Sequence, residues 1–466
     1  MATINKPRTS APILTHEGAQ AHRINAEAQL RRTLMACLLF EREFYEDGQA
    51  IAERIAEGVA KVAPEAAAAL AVEAREQMHL RHAPLLVVRE MARRGGRIVG
   101  DTLARVVQRP DELAEFVALC FATGMRKGLT PQIKRGLAEA FTKFDAYSLA
   151  KWDRSDREVR LRDVLFLAHA KPRDAEQAAL WKQLVDGMLP APDTWENRLS
   201  SGADKLQAWT GLIQDRRLGG MAVLRNLRNM TEAGVPRELM RTAIEQASFT
   251  RVLPFRFIAA ARYVPALEPE LEAAMFRATA ELERLPGKTV LLVDHSGSMA
   301  EPLSARSDMI RFDAAAGLAM LLREVAGDVD VVAFSAPCDA RMYGNRMASI
   351  GNRTVSVGAG RPAVATVPPR RGFALRDALM EATPWAGTNT EDGKRYCDAL
   401  GYDRLIIITD EQSHQALSVP CGRGYVINVA SAKNGVGYGA WTHVDGWSEA
   451  VVRYVVEAER AGLLGR

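Results

Sequence analysis

Residues 289–298 read TVLLVDHSGS, an apolar run that stops at a carboxylate and continues into a loop rich in hydroxyl groups. Such a run is typical of a strand that is buried on both faces of a parallel sheet. The same design returns at residues 404–410, RLIIITD. Ligands of open α/β sheets lie at the carboxyl ends of the strands, so both carboxylates are expected at one edge of one sheet. The two stretches predict a doubly wound α/β domain.

This α/β pattern begins just after Pro286-Gly287 and is assigned to residues 288–466. Short apolar runs alternate there with stretches of helical period. We expect helices over 309–325 and 448–461, and further strands over 330–335, 424–429 and 441–444.

Residues 1–287 have helical period almost throughout. Leu30, Leu34 and Leu38 recur at i, i+4 and i+8, and residues 161–168 carry a similar apolar stripe. Glycine and proline interrupt the pattern at short intervals. So many helices cannot share a single core, so the segment predicts stacked antiparallel pairs, a degenerate HEAT-like array.

The loop after the first strand offers hard oxygen ligands. Asp294, Ser296 and Ser298 form a D-x-S-x-S pattern, while Asp410 and Thr388 follow later in the domain on loops expected at the same sheet edge. Carboxylates and hydroxyls suit Mg²⁺ or Mn²⁺, so the predicted cofactor is a divalent cation, with Mg²⁺ preferred. Their combination would form a metal-ion-dependent adhesion site. A serine-rich turn that caps the next helix is the alternative.

Two enzyme interpretations of this loop fit less well. A nucleophile elbow requires glycine two residues before and two residues after the serine, and neither Ser296 nor Ser298 has both. A phosphatase-like Asp294 would require a second aspartate at position 296. We therefore predict no catalytic residue and a protein that is not an enzyme. His295 is expected to pack away from the site.

Composition limits the class of protein. The chain has 466 residues, of which 48% are hydrophobic and 25% charged, which excludes a disordered or collagen-like chain. No apolar run reaches the about 18 residues that a membrane span needs, and the first residues carry no apolar signal segment. The five cysteines are far apart and form no metal-binding spacing, so a cytoplasmic location is predicted.

Positive charge is concentrated in one part of the chain. The net charge is +4, yet residues 81–173 alone hold 19 basic and 11 acidic side chains. Lys134, Arg135 and Lys171 lie in this stretch and are candidates for phosphate contacts. The alternatives are a solvated helix face at each position and, for the arginine-rich composition as a whole, genomic base bias.

Three further motifs make the chain resemble the Ro autoantigen family, in which a TROVE domain of HEAT-like repeats precedes a von Willebrand factor A domain. Residues 163–172, DVLFLAHAKP, are similar to the family segment D-L-L-x-L-x-H-x-K-P. Residues 224–231, LRNLRNMT, are similar to L-L-R-N-L-x-x-M-T, and residues 253–256, LPFR, to x-P-F-H/R. The resemblance extends from about Leu30 to about Val444.

The resemblance implies a ring of helical repeats whose ends meet the A domain. Single-stranded ends of misfolded noncoding RNAs would pass through the ring, and Y-like RNAs would bind its outer rim. His169 matches the family's RNA-contacting histidine, and Lys151 and Arg154 fall near its basic residues. The residues that match the metal ligands are Asp294, Ser296, Ser298, Thr388 and Asp410. The loop at residues 386–389 departs from the family pattern G-G-T-D and reads AGTN, which removes one charge beside the site.

The favoured hypothesis is accordingly a monomeric, noncatalytic scaffold for noncoding RNA in RNA quality control or degradation. By the same resemblance, an exoribonuclease such as polynucleotide phosphorylase is an expected partner. The alternative is a protein-binding module in which an acidic residue of a partner protein completes the coordination of the metal. A metal-dependent hydrolase is a third, weaker interpretation.

Overall fold

The computed structural model describes most of the chain. The described residues are 13–14, 20–21, 26–35, 48–124, 128–192, 194–200, 202, 204–250, 252, 254–280, 282, 284–303, 309–338, 345–350, 353–358, 360–410, 413, 416–429, 440–445, 451–452, 455–456 and 459. Leu38 of the predicted first stripe lies outside them, as does part of the predicted closing helix. Residues 451–452, 455–456 and 459 of that helix are described, and they are helical.

Helices make up the first half of the chain. Those described are α1 Ala26–Met35, α2 Gly48–Lys61, α3 Pro64–Glu76, α4 His82–Arg94, α5 Ile98–Val106, α6 Pro110–Ala122, α7 Pro131–Phe141, α8 Ala146–Trp152, α9 Leu161–Ala168, α10 Ala175–Asp186, α11 Trp195–Ser200, α12 Lys205–Gln214, α13 Gly220–Glu232, α14 Arg237–Gln246, α15 Pro254–Tyr263 and α16 Glu268–Thr279. Across the described ranges, no helix is both long enough and apolar enough to cross a membrane.

These helices stack in two rows. The even-numbered helices α2, α4, α6 and α8 pack on one another in turn, and so do the odd-numbered helices α3, α5, α7 and α9. The same alternation returns in α12, α14 and α16 and in α13 and α15. Within these two runs each helix therefore contacts the helix two places further along, which is the arrangement of stacked helical repeats. The predicted array is confirmed.

Two glycines bring α5 and α7 into close contact. A Cβ atom on Gly136 would lie 2.6 Å from the carbonyl oxygen of Gly100 and 2.9 Å from the Cβ of Leu103. The helices can approach this closely only because neither glycine has a side chain. This contact holds α7 in place, and α7 in turn packs on α9.

The second half of the chain is an α/β domain. Its strands are β3 Leu285–Asp294, β4 Ala326–Phe334, β7 Val364–Thr366, β8 Arg404–Thr409, β9 Arg423–Asn428 and β10 Trp441–Asp445, and its helices are α17 Arg311–Val325, α18 Gly372–Ala382 and α19 Thr390–Leu400. Two short antiparallel pairs lie outside this sheet: β1 Ile13–Leu14 with β2 Gln20–Ala21, and β5 Asn345–Ile350 with β6 Arg353–Gly358.

The main sheet has the order β10-β9-β8-β3-β4-β7 among the described strands. Its strands are parallel except β7, which pairs antiparallel with β4 at the edge and which the sequence did not predict. The strand order reverses between β3 and β8, which are neighbours. A crevice forms at such a reversal, so Asp294 and Asp410 follow these two strands into the place where α/β sheets bind ligands.

The helical array is joined to the α/β domain at both ends. At one end, α17 packs on α15 and continues the row formed by α13 and α15. At the other end, α1 packs on β10, so the array begins and ends on the same domain. The change from helices to strands falls at Pro286-Gly287, but the packing row runs past it into α17.

We predict that Gly136→Ala and Gly211→Ala shift the thermal midpoint of unfolding in opposite directions. The new methyl group at Gly136 meets a backbone oxygen and forces α5 and α7 apart, a loss of about 1–3 kcal/mol. Gly211 lies inside α12 with nothing within 4 Å of its Cβ position, so alanine there adds helix propensity of about 1 kcal/mol. Differential scanning calorimetry measures both variants. Shifts of the same sign would contradict the packing of α5 on α7.

Candidate metal centre and candidate nucleic-acid interface

The first loop of the α/β domain folds back on its own carboxylate. Asp294 ends β3, and its Oδ1 accepts a hydrogen bond of 2.7 Å from the backbone N–H of Ser296. Its Oδ2 accepts a hydrogen bond from the hydroxyl group of Thr409, the last residue of β8. The hydroxyl oxygens of Ser296 and Ser298 lie 3.1 Å apart. The D-x-S-x-S loop therefore brings these three oxygen-bearing side chains together.

Asp410 is paired with a residue that the sequence analysis did not single out. The guanidinium of Arg311, in the first turn of α17, donates from Nη1 to Oδ2 of Asp410 at 2.9 Å. The same nitrogen donates to the carbonyl oxygen of Ser298 at 3.3 Å. Arg311 thus lies between the two loops that carry the predicted metal ligands. No local sequence pattern indicates this pairing, because the two residues are 99 positions apart.

The loop that carries Thr388 is fastened against the same edge. The N–H of Gly297 donates to the carbonyl oxygen of Ala386 at 2.7 Å, and the N–H of Ala336 donates to that of Gly387 at 2.6 Å. Thr388 follows directly and is buried. Asn389, where the family has aspartate, donates from its side-chain amide to the α19 residue Asp392.

The candidate metal centre contains two buried carboxylates. Asp294 and Asp410 are both fully buried, and Arg311 forms an ion pair of 2.9 Å with Asp410. Burial, with a smaller contribution from the negative charge of Asp410, raises the pKa of Asp294 to about 7. A buried carboxylate is costly unless it is protonated or lies beside a positive charge, so a proton or a cation would stabilise Asp294 here.

The donor set fits a small hard cation. In the described part of the chain no three His, Cys, Asp or Glu side chains cluster as a metal site, so hydroxyls and water would complete any coordination here. Carboxylate, hydroxyl and water ligands are those that Mg²⁺ prefers. Ser298 is half-buried and Gly297 is exposed, so the site opens to solvent on one side.

His295 lies in the core beside this site. Its Nδ1 is 3.0 Å from the hydroxyl oxygen of Thr383, and its ring centroid lies 4.1 Å from that of Trp385. Burial lowers its pKa to about 3, so the imidazole is neutral. The structure thus confirms His295 as a packing residue.

On the helical array, His169 and Lys134 come together. His169 is the residue after α9 and adopts left-handed backbone angles, with φ at 52°. Its Nε2 lies 3.4 Å from Nζ of Lys134, which projects from the first turn of α7. His169 and Lys171 are both exposed, so a basic surface surrounds the end of α9.

The other predicted contacts are exposed but engaged with neighbouring groups. Arg135 forms an ion pair of 2.7 Å with Asp101. Arg154 forms an ion pair of 2.9 Å with Asp156. Lys151 lies on α8 with its ammonium 5.9 Å from the ring centroid of Tyr147. Of the six predicted residues, the structure places Lys134 and His169 in direct contact.

Two exposed aromatic residues were missed. Phe166 on α9 is 60% exposed and Tyr147 on α8 is 49% exposed. The sequence analysis could have found Phe166, because the buried stripe of α9 leaves position 166 on its opposite face.

These features define the class of protein: an array of helical repeats, closed by an α/β domain with carboxylates at its topological switch point. Residues 186–310 match the family model described as the TROVE domain. The TROVE part of the resemblance that the sequence motifs indicated is thereby confirmed. The match ends at the start of α17, consistent with a helical row that continues past the change to strands.

Solved and curated relatives agree with this assignment. The crystal structure of the Deinococcus radiodurans Ro (Rsr) protein superposes with a TM-score of 0.62, covers 94% of this chain and 100% of its own, and is 18% identical. At that identity, the likeness shows the shared fold. The mouse and rat telomerase protein component 1 are each 34% identical over 91 residues, 18% of this chain. The match covers 4% of the length of these two relatives.

We predict that Asp294→Asn changes how stability depends on pH in metal-free protein. The pKa of Asp294 is raised in the folded state, so its protonated form is favoured there and its contribution to stability is lost as the pH rises from about 4 through about 7. Ionisation of Asp294 at alkaline pH would cost the folded state up to about 4 kcal/mol of stability. Asparagine does not ionise, so the variant would not lose this stability. Thermal midpoints in EDTA at acidic and alkaline pH measure the effect. If the thermal midpoint of the variant depends on pH as that of the wild type does, the raised pKa assigned to Asp294 is wrong.

Proposed function

We propose that the protein is a noncatalytic scaffold that binds noncoding RNA and acts in RNA quality control or degradation. Single-stranded ends of misfolded RNAs would enter the ring, and Y-like RNAs would bind its outer rim. The observation that carries this proposal is the contact between half-buried Lys134 and exposed His169 in the basic stretch of the helical array. Lys171 lies beside it, and Lys151 and Arg154 add positive charge on and after α8.

Phosphate contacts would supply most of the affinity. A surface of exposed lysine and arginine side chains releases counterions when it binds RNA, so affinity would fall steeply as the salt concentration rises. An exoribonuclease such as polynucleotide phosphorylase is the partner that we propose for degradation. We further propose that the protein acts as a monomer in the cytoplasm.

The α/β domain would hold a divalent cation, Mg²⁺, through Asp294, Ser296, Ser298, Thr388 and Asp410. The burial of these two carboxylates at one edge of the sheet supports this proposal. Bound Mg²⁺ would neutralise the site and organise its three loops. Arg311 would then share Asp410 with the cation. Because the site opens to solvent beside Gly297, a second candidate function is a protein-binding module in which an acidic partner residue completes the coordination.

We predict that His169→Asn weakens RNA binding without destabilising the fold. Asparagine tolerates the left-handed backbone at this position better than histidine does, but it lacks the imidazole that lies beside Lys134. We expect the Kd for a structured RNA with a single-stranded tail to rise about 10- to 150-fold, the range of one lost hydrogen bond to a charged group. Fluorescence anisotropy measures the binding, and calorimetry measures the stability.

His79→Asn is the matched control. His79 also adopts left-handed backbone angles, with φ at 56°, but it precedes the basic stretch. Its substitution should leave the Kd for RNA unchanged. Equal losses in the two variants, or no loss in either, would count against the RNA contact assigned to His169.

We predict that millimolar Mg²⁺ raises the thermal midpoint of the wild-type protein but not that of Asp294→Asn. The cation stabilises the folded state in proportion to its binding, and the variant lacks a buried carboxylate ligand. RNA affinity should be the same in both proteins, because the cation site belongs to the α/β domain. If Mg²⁺ has no effect on the wild type, the metal site is wrong. If the variant loses a protein partner and the wild type binds no RNA, the second candidate function is favoured.

A further inference from the structure

Phe166 is exposed on a helix that already has a complete apolar face. In α9, Leu161, Val164, Leu165 and Ala168 are buried, and Phe166 projects from the other side with 60% of its surface exposed. A single exposed aromatic ring is ordinary on a protein surface. The groups around the ring therefore decide whether Phe166 is expected to bind a ligand.

Basic and polar groups flank Phe166 along the helix. Arg162 is exposed one turn before it, and His169 is exposed three positions after it. Arg162 is a neighbour of Phe166 on the helix surface because the two are four positions apart, whereas His169 lies just past the end of the helix. His169 in turn lies 3.4 Å from the ammonium of Lys134. The ring thus lies within a surface that attracts phosphate, and a phosphate-bearing ligand with aromatic groups matches both of its properties.

A second exposed ring has the same surroundings on α8. Tyr147 is 49% exposed, and Lys151, one turn later, holds its ammonium 5.9 Å from the ring centroid. Both α8 and α9 pack on α6 and on α10, so the two helices belong to the same part of the array. The combination of an exposed ring with a neighbouring cation therefore occurs twice within this part.

We propose that Phe166, together with Tyr147, stacks on unpaired bases of the RNA whose phosphates are held by Lys134 and Lys151. This inference rests on the proposed RNA-binding function and makes it more specific. Stacked platforms of aromatic rings bind single strands with little sequence preference, because every base has an aromatic face. A duplex keeps its bases stacked inside, so it cannot use the rings. The surface accordingly selects single-stranded RNA.

The test compares Phe166→Ala with the wild type on three probes: an oligouridylate, the same strand without bases, and a blunt-ended RNA duplex. The variant should bind oligouridylate about 5- to 100-fold more weakly, the range expected for one lost stacking contact. It should bind the abasic strand and the duplex as the wild type does, because these offer no free base. Phe166→Tyr should restore binding of oligouridylate.

Salt dependence separates stacking from charge. Phe166→Ala should leave the slope of log Kd against log salt unchanged, whereas Lys134→Gln should reduce it by about 0.7 for one lost phosphate contact. Val419→Ala is the control for loss of an exposed apolar side chain, since Val419 is 71% exposed on the α/β domain. It should change neither affinity nor slope.

The outcomes distinguish this inference from the function on which it rests. If the wild type binds oligouridylate and Phe166→Ala binds it equally well, stacking by Phe166 is wrong and RNA binding stands. If the variant loses as much affinity for the abasic strand as for oligouridylate, Phe166 supports the structure of the binding surface and does not contact bases. The inference is then also wrong. If the wild type binds none of the probes, RNA binding itself fails, and stacking fails with it.

Discussion

The packing of α15 against α17 is the contact on which the two halves of the molecule depend. Phe255 at the start of α15 lies over Gly317, where a Cβ atom would be 3.1 Å from the Cβ of Phe255. The buried side chains of Arg262 and Asp313 form an ion pair across the same contact. Breaking one partner of a buried pair destabilises a protein by about 3–5 kcal/mol. Without the contact between α15 and α17, the last helices of the array would be exposed to solvent. The helix α17, which packs on the sheet, would lose its support from the array.

The start of α17 also fixes the geometry of the candidate metal centre. Asp313, held by Arg262 of the array, accepts the N–H of Ile310 at 2.7 Å and so caps the helix. Arg311, which directly follows Ile310, donates a hydrogen bond to Asp410. One turn of helix therefore connects the helical array to the carboxylates at the switch point. The position of the guanidinium is set by the packing of the two halves, because its helix cannot shift without disturbing the pair of Arg262 and Asp313.

The parts of this structure that local patterns determine were predictable from the sequence. Apolar runs ending in carboxylates identified β3 and β8, and the rules of parallel sheets placed Asp294 and Asp410 at one edge. The pairing of Arg311 with Asp410 was not predictable, because it depends on how α17 docks rather than on any spacing. The ion pair of Arg135 with Asp101 depends in the same way on the contact of α5 with α7. The exposure of Phe166 was partly predictable, because the apolar period of α9 leaves position 166 on the face opposite the buried stripe.

The ends of α9 and α10 explain why a histidine at position 169 is informative. Both helices end in a residue with left-handed backbone angles, but α10 uses Gly187, with φ at 69°, and α9 uses His169, with φ at 52°. Glycine adopts this conformation without strain, whereas a side chain there costs about 1–2 kcal/mol. The helix end itself therefore gives no reason for histidine. The imidazole beside Lys134 is the property that glycine would lack, and it is the group to which our proposal assigns the RNA contact.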